Sequence, residues 1–227
     1  MKLGALFSGG KDSTYALYKA MKEHEIVCLI ALKSLNPESY MFHVPAFEFI
    51  EKQAEALGIP LIVVETKGEK EKELEDLKKA IQEAKDKYEI EGIVTGAVAS
   101  TYQASRIQKI CDELGLKVFN PLWKINQMQL MKDLIKDKFE VIITGIAAYP
   151  LDESWLGRKL NENMLKDLEK LEKEYKINVA GEGGEFETLV VDSPIHKKRI
   201  ELIETKKEYE NHNGTLKIIK IVLNRKA

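Results

Sequence analysis

The sequence predicts an α/β fold, a parallel sheet with helices on both faces, followed by a smaller α+β domain. Three observations predict it. Short apolar runs alternate with amphipathic helical runs through the first half of the 227-residue chain. A glycine-rich hexapeptide, SGGKDS at 8–13, stands at the first strand-to-helix junction. After Asn120-Pro121 the alternation stops and β-rich sequence takes over toward the C-terminus. A first domain over 1–122 and a second over 123–227 are expected.

Strands are expected near 2–7, 26–33, 60–65, 92–97 and 116–119, each an apolar run too short for a helix. Helices are expected between them, near 13–24, 45–57, 70–88 and 101–114, the first with Ala16, Leu17, Ala20 and Met21 on one face. Repeated βα units of this kind build parallel sheets. The Lys/Glu-rich stretch Lys67–Lys87 reads as a solvated helix face rather than a binding tract. Beyond Pro121, a helix near 126–137 leads into FEVIITGIAAY and then YPLDESWLGR. A helix near 161–175 precedes GEGGEFET. LVVDSP, KRIELIETKKEYE and TLKIIKIVL read as antiparallel strands, with NHNG a turn between the last two.

Composition narrows the function classes. A net charge of −2 provides no broad basic footprint, so no nucleic-acid partner is expected. No apolar run approaches the roughly 20 residues that cross a bilayer, and the chain opens into a strand without a signal-peptide pattern. A cytoplasmic protein without membrane association is expected. Cys28 and Cys111 both lie in apolar surroundings and read as small buried hydrophobes rather than catalytic thiols. With no CxxC, no HExxH and four scattered histidines, a zinc site is unsupported.

Chemistry concentrates in three clusters. In SGGKDS, Gly9 and Gly10 let backbone N–H groups turn toward a ligand, and the helix N-terminus behind them carries partial positive charge. That combination suits an anion, most often phosphate. It is not a Walker A loop, because Gly10-Lys11 is followed by Asp12. Ser8 and Ser13 offer hydroxyl donors, and Lys11 a mobile positive charge. The Asp12 carboxylate would repel a polyphosphate unless Mg²⁺ bridged them, and a helix cap is its alternative role. Lys11 and Asp12 are both expected to be exposed at a cleft. Ligands of parallel sheets bind beyond the carboxyl ends of the strands, and SLNPESYMFH, TKGEK and GAVASTYQASR also follow strands.

GEGGEFET, Gly181 to Thr188, holds three carboxylates (Glu182, Glu185, Glu187) and three glycines in eight residues. A tight turn with exposed carboxylates is expected, either as a plain surface turn or as an acidic part of the site. Gly96 to Arg106, GAVASTYQASR, starts at a strand end and runs into a helix that Ser100 or Thr101 would cap. There Arg106 is either a partner for phosphate or carboxylate, or an ordinary surface arginine.

SGGKDS at this junction resembles the pyrophosphate loop of the N-type ATP pyrophosphatases, which cleave ATP to AMP and pyrophosphate. Together with SYMFHVPAFEFIEKQAEALGIPL, GAVASTYQASR, WLGR and GEGGEFETLVVDSP, nearly the whole chain resembles the diphthine–ammonia ligase group of that superfamily. The resemblance implies an adenine nucleotide alpha hydrolase-like, Rossmann-like first domain. It implies ATP-dependent amidation by ammonium of diphthine, a modified histidine on elongation factor 2, through an acyl-adenylate. ATP and Mg²⁺ are the implied cofactors. Ser8, Gly9, Gly10, Lys11, Asp12, Ser13, Gly96 and Arg106 are the implied ATP-binding residues, with Asp12 on the metal. Lys11, Asp12, Glu182, Glu185 and Glu187 are the implied catalytic residues, and nothing in the sequence divides the roles among the glutamates. Elongation factor 2 and ammonium are the implied partners, and a homodimer is compatible with the pattern. Two rivals stand beside this reading. A tRNA thiolation enzyme of the same superfamily would call for a cysteine pair or an iron–sulfur cluster. A non-catalytic ATP-binding regulator would bind nucleotide without turnover.

Overall fold

The structure, a computed structural model, describes residues 1–34, 47–67 and 72–226. Most of SLNPESYMFH and TKGEK lies outside these residues. The chain divides into two compact units, residues 1–8 with 12–123 and residues 9–11 with 124–227.

In the first unit β1 (Lys2–Leu6), α1 (Lys11–Ala20), β2 (Glu25–Ser34), α2 (Phe47–Leu57), β3 (Leu61–Thr66), α3 (Lys72–Tyr88), β4 (Gly92–Val94), α4 (Thr101–Leu114) and β5 (Lys117–Phe119) follow one another. The five strands are all parallel, in the order β3-β2-β1-β4-β5. A central strand of such a sheet is buried on both faces, which is why β2 reads as an unbroken apolar run. Its Cys28, Ile30 and Leu32 pack with Leu77 and Ile81 of α3 and with Ile107 and Cys111 of α4. Leu29 and Ala31, pointing the other way, are equally buried. Right-handed crossovers place α1 and α2 on that second face. The chain winds outward from β1 to β3, then returns to lay β4 on the other side of β1. The connections after β1 and β4 therefore leave adjacent strand ends at the point where the winding reverses, the place where such sheets bind ligands.

In the second unit α5 (Gln127–Lys136), β6 (Glu140–Ile146), α6 (Glu162–Tyr175), β7 (Phe186–Asp192), β8 (Lys198–Glu210) and β9 (Asn213–Arg225) form an antiparallel sheet, β7-β6-β9-β8, with its helices. Asn126 and Asn161 cap α5 and α6, each side chain accepting from the backbone N–H three residues on at 2.9 Å. β6 is shared by three partners. One edge pairs with β7. On the other, Gly157–Leu160 bonds to Val141 and Ile143 at 2.8–3.0 Å, while β9 takes Gly145 and Ile146. The WLGR motif is thus a fold element: Gly157 turns with φ +80°, and Arg158 stacks on Trp155 and pairs with Asp167.

Several local expectations change. Helix α1 begins at Lys11, not Ser13, and stops at Ala20, leaving Met21 beyond its end and 40% exposed. The hairpin turn is only Asn211-His212, both at positive φ (48° and 60°), so β9 starts two residues before TLK. That geometry matches the twist of the flanking strands. GEGGEFET is a turn only as far as Glu185, because β7 starts at Phe186. Cys28 and Cys111 are fully buried, and burial pushes both thiols up to about 12. Among the described residues no helix is long and apolar enough to cross a membrane.

After β7, His196 is 4% exposed with Nδ1 2.6 Å from the Ser193 hydroxyl, and its Nε2 makes no hydrogen bond among the described residues. Burial lowers its pKa from 6.5 to about 4, helped by Lys226 and opposed by Asp192. Between these values the unfolded chain binds the extra proton, so this stability is present above pH 6.5 and is lost as pH falls toward 4. At about 1.4 kcal/mol per unit the loss is about 3 kcal/mol. In His196→Phe, the change in unfolding free energy between pH 7.5 and pH 4, measured by urea titration, should shrink by about that amount. An unchanged pH dependence would show that the ring charges freely in the folded state.

Candidate active site

The hexapeptide is more helix than loop. Only Gly9 and Gly10 bend, and Lys11, Asp12 and Ser13 form the first turn of α1. Gly9 sits at φ +77°, a conformation glycine adopts without strain. The Ser13 hydroxyl lies 3.3 Å from the Ser8 N–H and 3.1 Å from the Ser8 hydroxyl, closing the loop on itself. Asp12, half-buried, places a carboxylate in the first turn, where the helix dipole favours negative charge.

Gly96 follows β4 and lies against the same turn. A Cβ there would sit 2.8 Å from the Ser13 nitrogen and 2.9 Å from the Asp12 carbonyl carbon, so the two connections meet backbone to backbone. Ser100 then caps α4, accepting from the Gln103 N–H at 3.3 Å. Arg106, half-buried, lays its guanidinium 3.4 Å from the centre of the Tyr102 ring one helical turn earlier. That stacking was not legible in the sequence.

Gly9–Lys11 belongs with the second unit and runs along β7. The Val190 N–H donates to the Gly9 carbonyl at 3.1 Å, and the Lys11 N–H donates to the Thr188 hydroxyl at 3.1 Å. The Lys11 side chain is only 4% exposed, contrary to its expected exposure, and its Nζ lies 3.9 Å from Oε1 of Glu182, itself 19% exposed. A buried ammonium needs a counter-charge, and the acidic turn holds one beside it.

The three glutamates of the turn differ in what they touch. The Glu185 carboxylate folds back onto its own turn, accepting from the Asn178 N–H at 3.0 Å and the Gly183 N–H at 2.9 Å. Glu187, on β7, covers Gly145 of β6 so closely that a Cβ there would lie 3.0 Å from its Oε2. Glu182 is the one beside Lys11. All three are half-buried, which corrects the expected exposure of the carboxylates. Sequence reasoning missed Asn178. Its side-chain oxygen accepts from the N–H groups of Ala180 and Glu182 at 3.0 and 3.2 Å, and its carbonyl from Gly181 at 3.0 Å. Asparagine two residues before Ala-Gly is a turn-forming signal that the sequence does carry. Gly181 and Gly184, at φ +72° and +85°, complete the turn. Among the described residues no three His, Cys, Asp or Glu gather closely enough to hold a metal by themselves.

Comparison with known proteins covers both halves of the chain. A family model described as the diphthamide synthase N-terminal domain matches residues 1–118, and one described as the diphthamide synthase C-terminal domain matches residues 126–223. The protein named diphthine–ammonia ligase from Rattus norvegicus is 37% identical over 220 residues, spanning 88% of this chain and 82% of its own. The Homo sapiens protein of that name is 36% identical over 221 residues with the same coverage. The one from Saccharomyces cerevisiae is 33% identical over 258 residues, spanning 96% of this chain but 37% of its own. A solved structure from Methanocaldococcus jannaschii, described as a predicted subunit of tRNA methyltransferase, aligns at TM-score 0.42 and 17% identity over 86% of this chain and 98% of that one. That likeness is too distant to bear on activity.

Replacing Asn178 tests the architecture of the turn without removing any carboxylate. Asn178→Ala leaves the N–H groups of Ala180 and Glu182 without their acceptor, and should lower stability by about 1–3 kcal/mol. Hydrogen exchange at those two amides should accelerate. Asn178→Asp keeps the accepting oxygen and should retain most of the protection. Equal exchange in all three proteins would remove Asn178 from the turn's support.

Proposed function

The chain belongs to the diphthamide synthase family, and from that premise we propose that it is a ligase that amidates diphthine on elongation factor 2, using ATP and ammonium. The observation that carries this reading is Lys11, buried at the first turn of α1 with Glu182 of the acidic turn beside it. One residue of a phosphate-type loop thereby adjoins one carboxylate of the acidic turn.

A carboxylate is a poor electrophile, and amide formation at neutral pH requires one of its oxygens to become part of a leaving group. In the proposed reaction the diphthine carboxylate attacks the α-phosphorus of ATP, and the bond to pyrophosphate breaks, giving an acyl-adenylate. Ammonia then attacks the acyl carbon, loses a proton and expels AMP. Charge builds on the departing pyrophosphate, where the N–H groups at the start of α1, the Lys11 ammonium and the Ser8 and Ser13 hydroxyls supply stabilisation. Gly96 keeps the β4 connection close to this turn, and Arg106 adds a stacked positive charge on α4. Magnesium, held by Asp12 together with phosphate oxygens, would neutralise the polyphosphate. A single carboxylate fits magnesium, which commonly takes one or two with phosphates and water. Ammonium must lose a proton before it attacks, and in this reading Glu182 and Glu187 are the carboxylates that would accept it. Glu185, with both oxygens engaged by backbone N–H groups, positions the turn. The two fully buried thiols, pushed up to about 12, are unsuited to sulfur transfer and favour the ligase over the thiolation alternative.

The direct test incubates the protein with diphthine-bearing elongation factor 2, ATP and ammonium, then follows the modified peptide by mass spectrometry with AMP and pyrophosphate release. Nucleotide cleavage without amide, or with no dependence on the acceptor, would sink the assignment. Ammonium alone should suffice, and the folded fractions of Cys28→Ser and Cys111→Ser should remain active. Lys11→Ala should slow turnover by about 100-fold or more. Because Lys11 is buried rather than exposed, that change should also cost about 1–3 kcal/mol of stability, and Lys11→Met separates charge from packing by refilling the space. Glu182→Gln should bind ATP nearly as wild type and fail to amidate. Simultaneous loss of both would place Glu182 in the ATP site instead.

A further inference from the structure

Beyond the end of β6, four aromatic side chains of the second unit converge. Tyr149 follows β6 by three residues, Tyr175 ends α6, and Tyr209 and His212 lie at the β8–β9 hairpin turn. The Tyr149 ring stands at 82° to Tyr175, centres 5.4 Å apart, and at 89° to His212, centres 5.0 Å apart. Tyr209 meets His212 at 83° and 6.5 Å. His212 is fixed in the plane of its ring: Nδ1 lies 3.2 Å from the Leu151 carbonyl and 3.3 Å from the Tyr209 hydroxyl. A carbonyl only accepts, so Nδ1 carries the proton.

Rings held edge to face leave two faces meeting at a right angle, a corner with π walls. The corner is open, since Tyr149 and Tyr175 remain 60% and 44% exposed. Charged groups of both signs border it: hydrogen bonds from Ser154 hold the Asp152 carboxyl below its usual range with His212 and Lys207 nearby, and Glu174 adjoins Tyr175. Finally, it lies at the same end of the sheet as the acidic turn. Ile146 pairs with Phe186 on one side and Gly214 on the other, the Ala147 N–H donates to the Glu185 carbonyl at 2.9 Å, and Tyr175 precedes Asn178 by three residues.

We propose that this aromatic corner, built by Tyr149, Tyr175 and His212, binds a quaternary ammonium group. Such a cation has no N–H, so neither carbonyls nor hydroxyls can satisfy it by hydrogen bonding, whereas the faces of aromatic rings attract it. As to which cation, the inference rests on the reading above: diphthine carries a trimethylammonium group on the carbon next to the carboxyl that is amidated. Holding the cation at this end of the sheet would present its neighbouring carboxylate toward the turn that bears Glu182 and the start of β7 that bears Glu187.

The test uses choline as probe and 3,3-dimethyl-1-butanol, its uncharged carbon isostere, as control, with binding followed by tyrosine ring signals in NMR. Choline should bind saturably and the isostere about 10-fold or more weakly. Tyr149→Leu and Tyr175→Leu should abolish choline binding, Tyr149→Phe should retain it, and all three should bind ATP as wild type does. In the amidation assay Tyr149→Leu should raise KM for the diphthine-bearing protein about 10-fold with little change in kcat. Equal binding of choline and its isostere, or choline binding that survives both leucine substitutions, would overturn the site. Selective choline binding lost in both leucine variants of a protein that cannot amidate diphthine would support the cation site and overturn the reading of the reaction.

Discussion

A lysine ammonium removed from water must meet a counter-charge, and at Lys11 the requirement is more severe than usual. Lys11 is the first residue of α1, where the helix dipole already concentrates positive charge. Placing a second positive group there, 4% exposed, is unfavourable without an anion. Glu182 provides one at 3.9 Å, and much of the second unit's local structure serves to hold it there. Asn178 fixes the backbone of Glu182, Glu185 ties Gly183 back to Asn178, and two left-handed glycines let the chain turn tightly enough to do both. A phosphate entering this helix terminus would be a second anion for the same lysine. In the proposed reaction phosphate would compete with Glu182 for the lysine, and the carboxylate would then be available to a proton or an ammonium ion.

The glycines fall into two physical classes, and the distinction bears on what a substitution means. Gly9, Gly181 and Gly184 are needed for their positive φ. Gly96 is needed for proximity, because any side chain would strike the backbone of α1's first turn. This second constraint follows from topology: the sheet order brings the β1 and β4 connections out side by side, and the closer they approach, the more backbone N–H groups can face one ligand. A Gly-rich motif in such a fold encodes approach as much as flexibility.

The parallel sheet was legible because β2 and its neighbours are apolar on both faces, a pattern that only a helix-covered sheet explains. Element types held where periodicity was strong, as in α4 and α6. They slipped where a few residues had two acceptable states. Lys11-Asp12-Ser13 looks like loop from its glycine neighbours but propagates α1, since nothing in those three residues opposes helix. Glu187 and Thr188 look like turn by composition, yet extend β7 because β6 offers them a partner. Burial of Lys11 was invisible for the same reason. It depends on Thr188, Val190 and Glu182, more than 170 residues away, and local sequence carries no trace of such contacts. Asn178 was legible in principle, as an asparagine ahead of a glycine turn, and was overlooked beside the more conspicuous glutamates.

In the proposed reaction two cations must be told apart. Ammonium is small, donates four hydrogen bonds and becomes a nucleophile only by surrendering a proton, so carboxylates are its natural partners. A trimethylammonium group is large, donates none and cannot lose a proton, so a carboxylate would attract it without orienting it, whereas ring faces fix its position. If both cations met the same glutamates, the acceptor would compete with its own nucleophile. In the proposal the second unit would separate the two chemistries: carboxylates from Glu182 on the turn to Glu187 on β7, and perpendicular rings beyond β6 joined to that turn through Ala147. The separation is small because the trimethylammonium and the carboxylate to be amidated hang from one carbon. The hydrogen bond from the Ala147 N–H to the Glu185 carbonyl therefore matters as much as either contact, since it ties together the two places that one substrate would have to reach.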